Sequence, residues 1–139
     1  MNISKKIRNE VYMKVTEILK QDKPTISFEV FPPKKDTDFA DVEAAATSIA
    51  ELNPSYMSVT YGAGGSTKGL TIKLAEGIQS KYNVPTIAHL TCVCADKTGI
   101  SQALEDMKAA GIKNILALRG DIPKDYAGEI FTEFAHASE

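Results

Sequence analysis

No apolar run in the sequence is long enough to cross a bilayer, and the opening residues lack the apolar block of a secretory leader. Instead, MNISKKIRNEVYMKVTEILK mixes charged and apolar side chains. Neither sign of charge dominates: 16 Lys and Arg stand against 18 Asp and Glu, for a formal net charge of −2. That excludes the electrostatic footprint of a nucleic-acid binder and the polybasic patch of a membrane-surface protein. Cysteine is scarce, and the two present, Cys92 and Cys94, cannot close a zinc site by themselves. They read as reduced thiols of a cytoplasmic protein, one of them in the core. Low-complexity tracts are absent as well. The expectation is a cytoplasmic globular chain with no metal, no nucleic acid and no membrane as partner. Its 139 residues, 43% of them hydrophobic, suffice for one core.

Along the chain, helical and strand periodicities alternate. Ile3, Ile7, Val11, Val15, Ile18 and Leu19 recur at helical spacing, so residues 1–22 read as a leading amphipathic helix, closed before Pro24. TISFEVF is a strand stopped by Pro32 and Pro33, and residues 37–52 form a helix that ends at Asn53-Pro54. SYMSVTYG is a second strand, GAGGS a turn, and residues 67–81 a second helix of this series. PTIAHLTCVC is a third strand. TGISQALEDMKAAG is a helix with Gly111 just past its end, and KNILALRGD is a fourth strand. TEFAHASE, at residues 132–139, reads as the first turns of a further helix. Strands joined by helical crossovers imply βαβ units and a parallel sheet.

Polar residues recur near the strand ends. Glu29, Thr60, His89 and Arg119 follow one another at intervals of 31, 29 and 30 residues. Period-two geometry puts Ser27, Glu29 and Phe31 on one face of the first strand, His89 with Thr91 on the third, and Arg119 with Asp121 on the fourth. If those faces all point inward, Glu, Thr, His, Arg and Asp converge on one mouth. Such a mouth is the active-site end of a (β/α)₈ barrel, and an open doubly wound sheet would also bind ligands there. A carboxylate desolvated at that place, and not countered by Arg119, would hold its proton and act as a general acid. Each residue also has a plainer reading: Glu29 as a structural acid paired with Arg119 or a lysine, His89 as a core histidine, Arg119 and Asp121 as an ion pair, Tyr61 as packing. GAGGS matches neither a Rossmann nor a P-loop pattern. The shared location, rather than any one residue, points to a site.

SFEVFPPK, SVTYGAGG, AHLTC and LRGD, in this order and spacing, resemble the methylenetetrahydrofolate reductase family from about Ile26 to the last residue. The resemblance implies a flavin-containing (β/α)₈ barrel that reduces 5,10-methylenetetrahydrofolate to 5-methyltetrahydrofolate. Reducing equivalents would come from NADH or NADPH by way of FAD. It implies that Glu29 is the acid that protonates the folate and opens its five-membered ring to an iminium ion. Thr60 matches a position associated with the nicotinamide. Tyr61, Ala63, His89, Arg119, Gly120 and Asp121 match positions that hold FAD, and Asp121 also matches an acid that contacts the pterin. His136 and Ala137 align with a Tyr-Ala pair of the flavin site, with His replacing Tyr.

The family barrel has eight strands and the sequence supplies about four. Residues 1–139 are therefore expected to be one partial domain: a leading helix over 1–22, then the first half of a reductase barrel over 23–139. The simplest expectation is that the chain is a fragment of a longer enzyme, and the second that two copies pair or a partner chain completes the barrel; alone, the chain is expected to be inactive or nearly so. The competing reading is a non-catalytic half-barrel that serves in binding or assembly.

Overall fold

The computed structural model describes residues 13–62, 67–122 and 133–139. Ala63, the GAGGS turn beyond Gly62, the loop residues Pro123 and Gly128, and the leading stripe Ile3, Ile7 and Val11 lie outside them.

In chain order the described elements are α1 (Val15–Ile18), β1 (Ser27–Val30), a 3-10 turn (Asp36–Asp38) running into α2 (Phe39–Ala50), β2 (Tyr56–Val59), α3 (Lys68–Tyr82), β3 (Thr86–Thr91), α4 (Lys97–Ala109) and β4 (Asn114–Leu118). The strands form one parallel sheet in the order β1-β2-β3-β4. The expected βαβ alternation is therefore present, with strand boundaries tighter than the apolar runs implied. The leading helix was expected to reach residue 22, whereas α1 stops at Ile18 and residues 19–23 are turns and bends. The helix expected at the end of the chain is also not found, since residues 133–139 form bends and turns. There the Glu139 carboxylate accepts the backbone N–H groups of Ala135 and His136, at 2.7 and 3.2 Å, so a local carboxylate-capped turn replaces helical bonding.

The core lies between the helices and one face of the sheet. Val30, Met57, Val59, Ala88 and Leu90 share one face of β1, β2 and β3, and they pack with Phe39, Ala46, Leu74, Ile78, Ala103 and Met107 from the three long helices. Two ion pairs, Glu43 with Lys81 at 2.6 Å and Lys68 with Asp106 at 2.7 Å, join α2 to α3 and α3 to α4 outside this core. Gly111 follows α4 at φ +73°, as the sequence implied. Its N–H bonds the Lys108 carbonyl and the next N–H, of Ile112, bonds that of Met107, the paired bonds of a Schellman ending. Ile112 and Met107 are both buried, which supplies the apolar contact that accompanies such endings.

At the N-terminal end of the strands, Asn114 at the start of β4 accepts the Val15 N–H at 2.9 Å and so docks α1 beneath the sheet. A cleft of about 410 Å³ lies there, lined by residues including Ile18, Lys23, Asn53, Ser55, Asn83 and Pro85. Among the described residues its lining includes no acid and no histidine. No helix among the described residues is long and apolar enough to cross a membrane.

Candidate functional site

Register decides which side chains meet. Glu29 pairs with Ser58 across β1 and β2, Ser58 with Ile87 across β2 and β3, and His89 with Leu116 across β3 and β4. One face of the sheet, opposite the helices, therefore carries Ser27 and Glu29, Tyr56 and Ser58, Ile87, His89 and Thr91, then Asn114, Leu116 and Leu118.

On that face three polar side chains come together. The Ser58 hydroxyl donates to Glu29 Oε2 at 3.1 Å, and His89 Nε2 lies 3.4 Å from the same oxygen. Ser58 and His89 are buried at 8% exposure each, whereas the Glu29 side chain is 47% exposed. The desolvation expected at Glu29 falls on its neighbour instead: burial pulls the His89 imidazolium below its ordinary range, partly opposed by the Glu29 carboxylate. The neutral imidazole is thus the favoured form near neutral pH.

Thr60 continues this face just beyond β2. Its N–H bonds the Val30 carbonyl at 3.0 Å, and its carbonyl accepts the Thr71 hydroxyl at 2.9 Å. The Gly62 N–H bonds Thr67 Oγ1 at 2.7 Å. Two threonines near the start of α3 thereby pin the loop that follows β2. Tyr61 turns the other way and packs partly buried against the core. Burial, with the Asp106 carboxylate nearby, pushes its phenol up.

Arg119 does not join Glu29. It lies three residues past Leu116, an odd number, so strand alternation carries it to the opposite face from His89. It is exposed, and its Nη1 donates to the neighbouring Gly120 carbonyl at 3.3 Å. The expected convergence of Glu, Thr, His, Arg and Asp thus reduces to Glu29 and His89 in contact and Thr60 on the same face. Asp121, also exposed, follows at the same sheet end. Gly120 is held tightly between them. The N–H groups of Cys92 and Val93 bond the carbonyls of Leu118 and Arg119, drawing the backbone over the end of β3. At Gly120, φ is +80° and a β-carbon would stand 2.8 Å from Val93 Cγ1 and 2.9 Å from Thr91 Cβ. His136 is exposed and Ala137 half-buried, in a segment tied to α4 where Lys97 N–H bonds Glu133 Oε2 at 2.8 Å. Among the described residues, neither is hydrogen-bonded or ion-paired to Glu29, Ser58 or His89.

Ser58 was not singled out from the sequence. Its signal is its place two residues before Thr60, on the face that period-two geometry assigns to polar groups. Cys92 is buried, Cys94 half-buried, and both are free thiols. Among the described residues, no group of three or more His, Cys, Asp or Glu side chains is placed to hold a metal.

Fold and site together define an α/β protein with a parallel sheet whose acid–histidine cluster lies on the face left open by the helices. The family model described as methylenetetrahydrofolate reductase matches residues 14–139, and the chain belongs to that family. It is 41% identical over 115 residues to methylenetetrahydrofolate reductase 2 of Schizosaccharomyces pombe, covering 80% of this chain and 18% of that protein. With methylenetetrahydrofolate reductase (NADH) 1 of Arabidopsis thaliana it shares 37% over 114 residues, 82% of this chain and 19% of the relative. The 5,10-methylenetetrahydrofolate reductase of Buchnera aphidicola is 33% identical over 132 residues, 94% of this chain and 45% of the relative. The chain thus spans less than half the length of each of these relatives.

Proposed function

We propose that the chain forms the first half of a (β/α)₈ barrel in an enzyme that reduces 5,10-methylenetetrahydrofolate to 5-methyltetrahydrofolate with NADH or NADPH and FAD. The observation that carries this reading is the placement of Glu29 against Ser58 and His89 on the helix-free face of a sheet of this family. The strand order supports the barrel. Right-handed crossovers that always step to the next strand leave all helices on one face, and β1-β2-β3-β4 shows no reversal at which a doubly wound sheet would open its crevice. Leu116 and Leu118 on the open face are 43% and 36% exposed, surface that further βα units would cover. Closure of the site by such units, from the same chain or another copy, is part of the proposal. So is the division into a leading segment over 1–22 and a barrel segment over 23–139.

The residues present fit a flavin nucleotide. Leu116 and Leu118 give an apolar floor on the open face, Gly120 brings backbone close to the end of β3, and Arg119, just past the end of β4, offers an exposed guanidinium to a diphosphate that reaches over the sheet end. Thr60, Tyr61, Ala63, His89, Arg119, Gly120, Asp121, His136 and Ala137 are the positions proposed to hold FAD or the nicotinamide. Tyr61 acts there through its backbone, since its ring packs on the core side. A bound flavin supplies two-electron hydride transfer from the nicotinamide to the folate. Glu29 delivers a proton to a ring nitrogen of the folate, and the carbon–nitrogen bond opens with its electron pair going to that nitrogen. Asp121 places a negative charge where the resulting cationic folate is stabilised. NADH as the reductant is supported by the name of the Arabidopsis relative.

The test is an anaerobic assay of NADH-dependent 5-methyltetrahydrofolate formation by the enzyme that carries this segment, supplied with FAD. Formation of the product is expected, and its absence with both NADH and NADPH contradicts the reading.

A further inference from the structure

The two oxygens of Glu29 are not equivalent. Oε2 accepts the Ser58 hydroxyl at 3.1 Å and lies 3.4 Å from His89 Nε2, while among the described residues Oε1 carries no hydrogen bond. Ser58 is buried and sits on a central strand in register with Glu29, so its hydroxyl has a fixed direction. His89 is held the same way on β3. A carboxyl group gripped at one oxygen by two neighbouring strands presents the other oxygen at the mouth.

We propose that Ser58 is a positioning residue of the folate-reducing site: with His89 it anchors Glu29 through Oε2 and makes Oε1 the oxygen that delivers the proton. This rests on the reading of Glu29 as the acid. In the acid form the proton sits on Oε1, because Oε2 already faces a hydroxyl donor. On transfer, the proton leaves Oε1 for the folate nitrogen, whose bond to the bridging carbon breaks with its electron pair. The carboxylate left behind gains the Ser58 O–H as a charge-assisted donor and the Nε2–H of neutral His89 as a weaker, longer one. Ser58 therefore favours the ionised product of the step as well as the geometry of its start.

The groups that bear on Glu29 from the sheet are few. On the same face β2 contributes Tyr56, one pleat toward the N-terminal end, β3 contributes His89, and Leu116 and Leu118 of β4 are apolar.

The experiment compares Ser58→Ala, Ser58→Thr and Glu29→Gln in the enzyme that carries this segment, with the rate of the folate step measured beside that of flavin reduction by NADH. Ser58→Ala should slow the folate step about tenfold, because a carboxyl no longer held at Oε2 presents Oε1 less well, and should leave flavin reduction by NADH at the wild-type rate. Ser58→Thr, which keeps the hydroxyl, should restore most of the rate. A folate step unslowed in Ser58→Ala, flavin reduction slowed as much as the folate step, or a Thr variant no better than Ala overturns the proposal. Circular dichroism and thermal unfolding of each variant establish that it is folded, and a Ser58→Ala protein that merely unfolds while Ser58→Thr is unchanged in stability but slow also overturns it. A Glu29→Gln enzyme as active as wild type refutes instead the underlying reading of the acid, a distinguishable failure.

Discussion

Three glycines allow backbone strain and crowding to be separated by one series of alanine substitutions. Gly69, near the start of α3, has no atom within 4 Å of where a β-carbon would stand. Gly111 has φ +73° but only Gln79 Nε2 nearby, at 3.9 Å. Gly120 combines φ +80° with contacts of 2.8 and 2.9 Å to Val93 and Thr91, and the Thr91 atom is a Cβ that cannot swing away. A left-handed backbone costs an L-residue about 1–2 kcal/mol. Forcing extra volume into a packed site costs a further 1–3 kcal/mol, roughly. Gly69→Ala should thus be neutral or stabilising by up to about 1 kcal/mol, since a helix favours alanine over glycine. Gly111→Ala should cost about 1–2 kcal/mol, and Gly120→Ala about 2–5 kcal/mol. Urea unfolding followed by far-ultraviolet circular dichroism reads these as shifts in midpoint at constant slope. Equal losses at Gly111 and Gly120 would refute the close approach of the β4 exit to the end of β3. No loss at either would refute the left-handed backbone.

Other outcomes follow from the same packing and electrostatics. Met107, fully buried between α4 and the sheet, should lose about 2–5 kcal/mol of stability on truncation to alanine, measured by the same unfolding curves. Asp96 accepts the Gly99 N–H at 2.6 Å as the N-cap of α4, so Asp96→Ala should cost about 1 kcal/mol while Asp96→Ser costs little. His89 binds a proton less well folded than unfolded, so its contribution to stability is present above the unfolded value of about 6.5 and is lost as pH falls through the lower folded value. Unfolding free energies measured across that window should fall on acidification in the wild type and flatten in His89→Gln; a steeper fall in the variant would be the wrong sign.

The alternation of strand and helix was legible because apolar period and breakers agree in each segment, as at Pro32-Pro33, Asn53-Pro54 and Gly111. The face of Glu29 and His89 was legible too, since period two is fixed by the strand itself. What was not legible is register between strands. Arg119 follows His89 at an interval that resembles the earlier ones, yet β4 is set so that Leu116 lies opposite His89 and the guanidinium falls on the other face. That offset depends on the path of α4 and its Schellman ending, which strand patterns do not encode. Ser58 escaped notice for the same reason: a serine is ordinary until register puts it against a carboxylate. Residues 133–139 misled by composition, because a single acid, Glu139, turns the local N–H groups onto itself.

The central claim is that Glu29 is the acid of folate reduction, and the most direct measurement separates the two half-reactions of the enzyme that carries this segment. In Glu29→Gln, stopped-flow absorbance should show the bound flavin still reduced by the nicotinamide at close to the wild-type rate, and its reoxidation by 5,10-methylenetetrahydrofolate abolished. Reoxidation that survives at the wild-type rate in that variant would contradict the account.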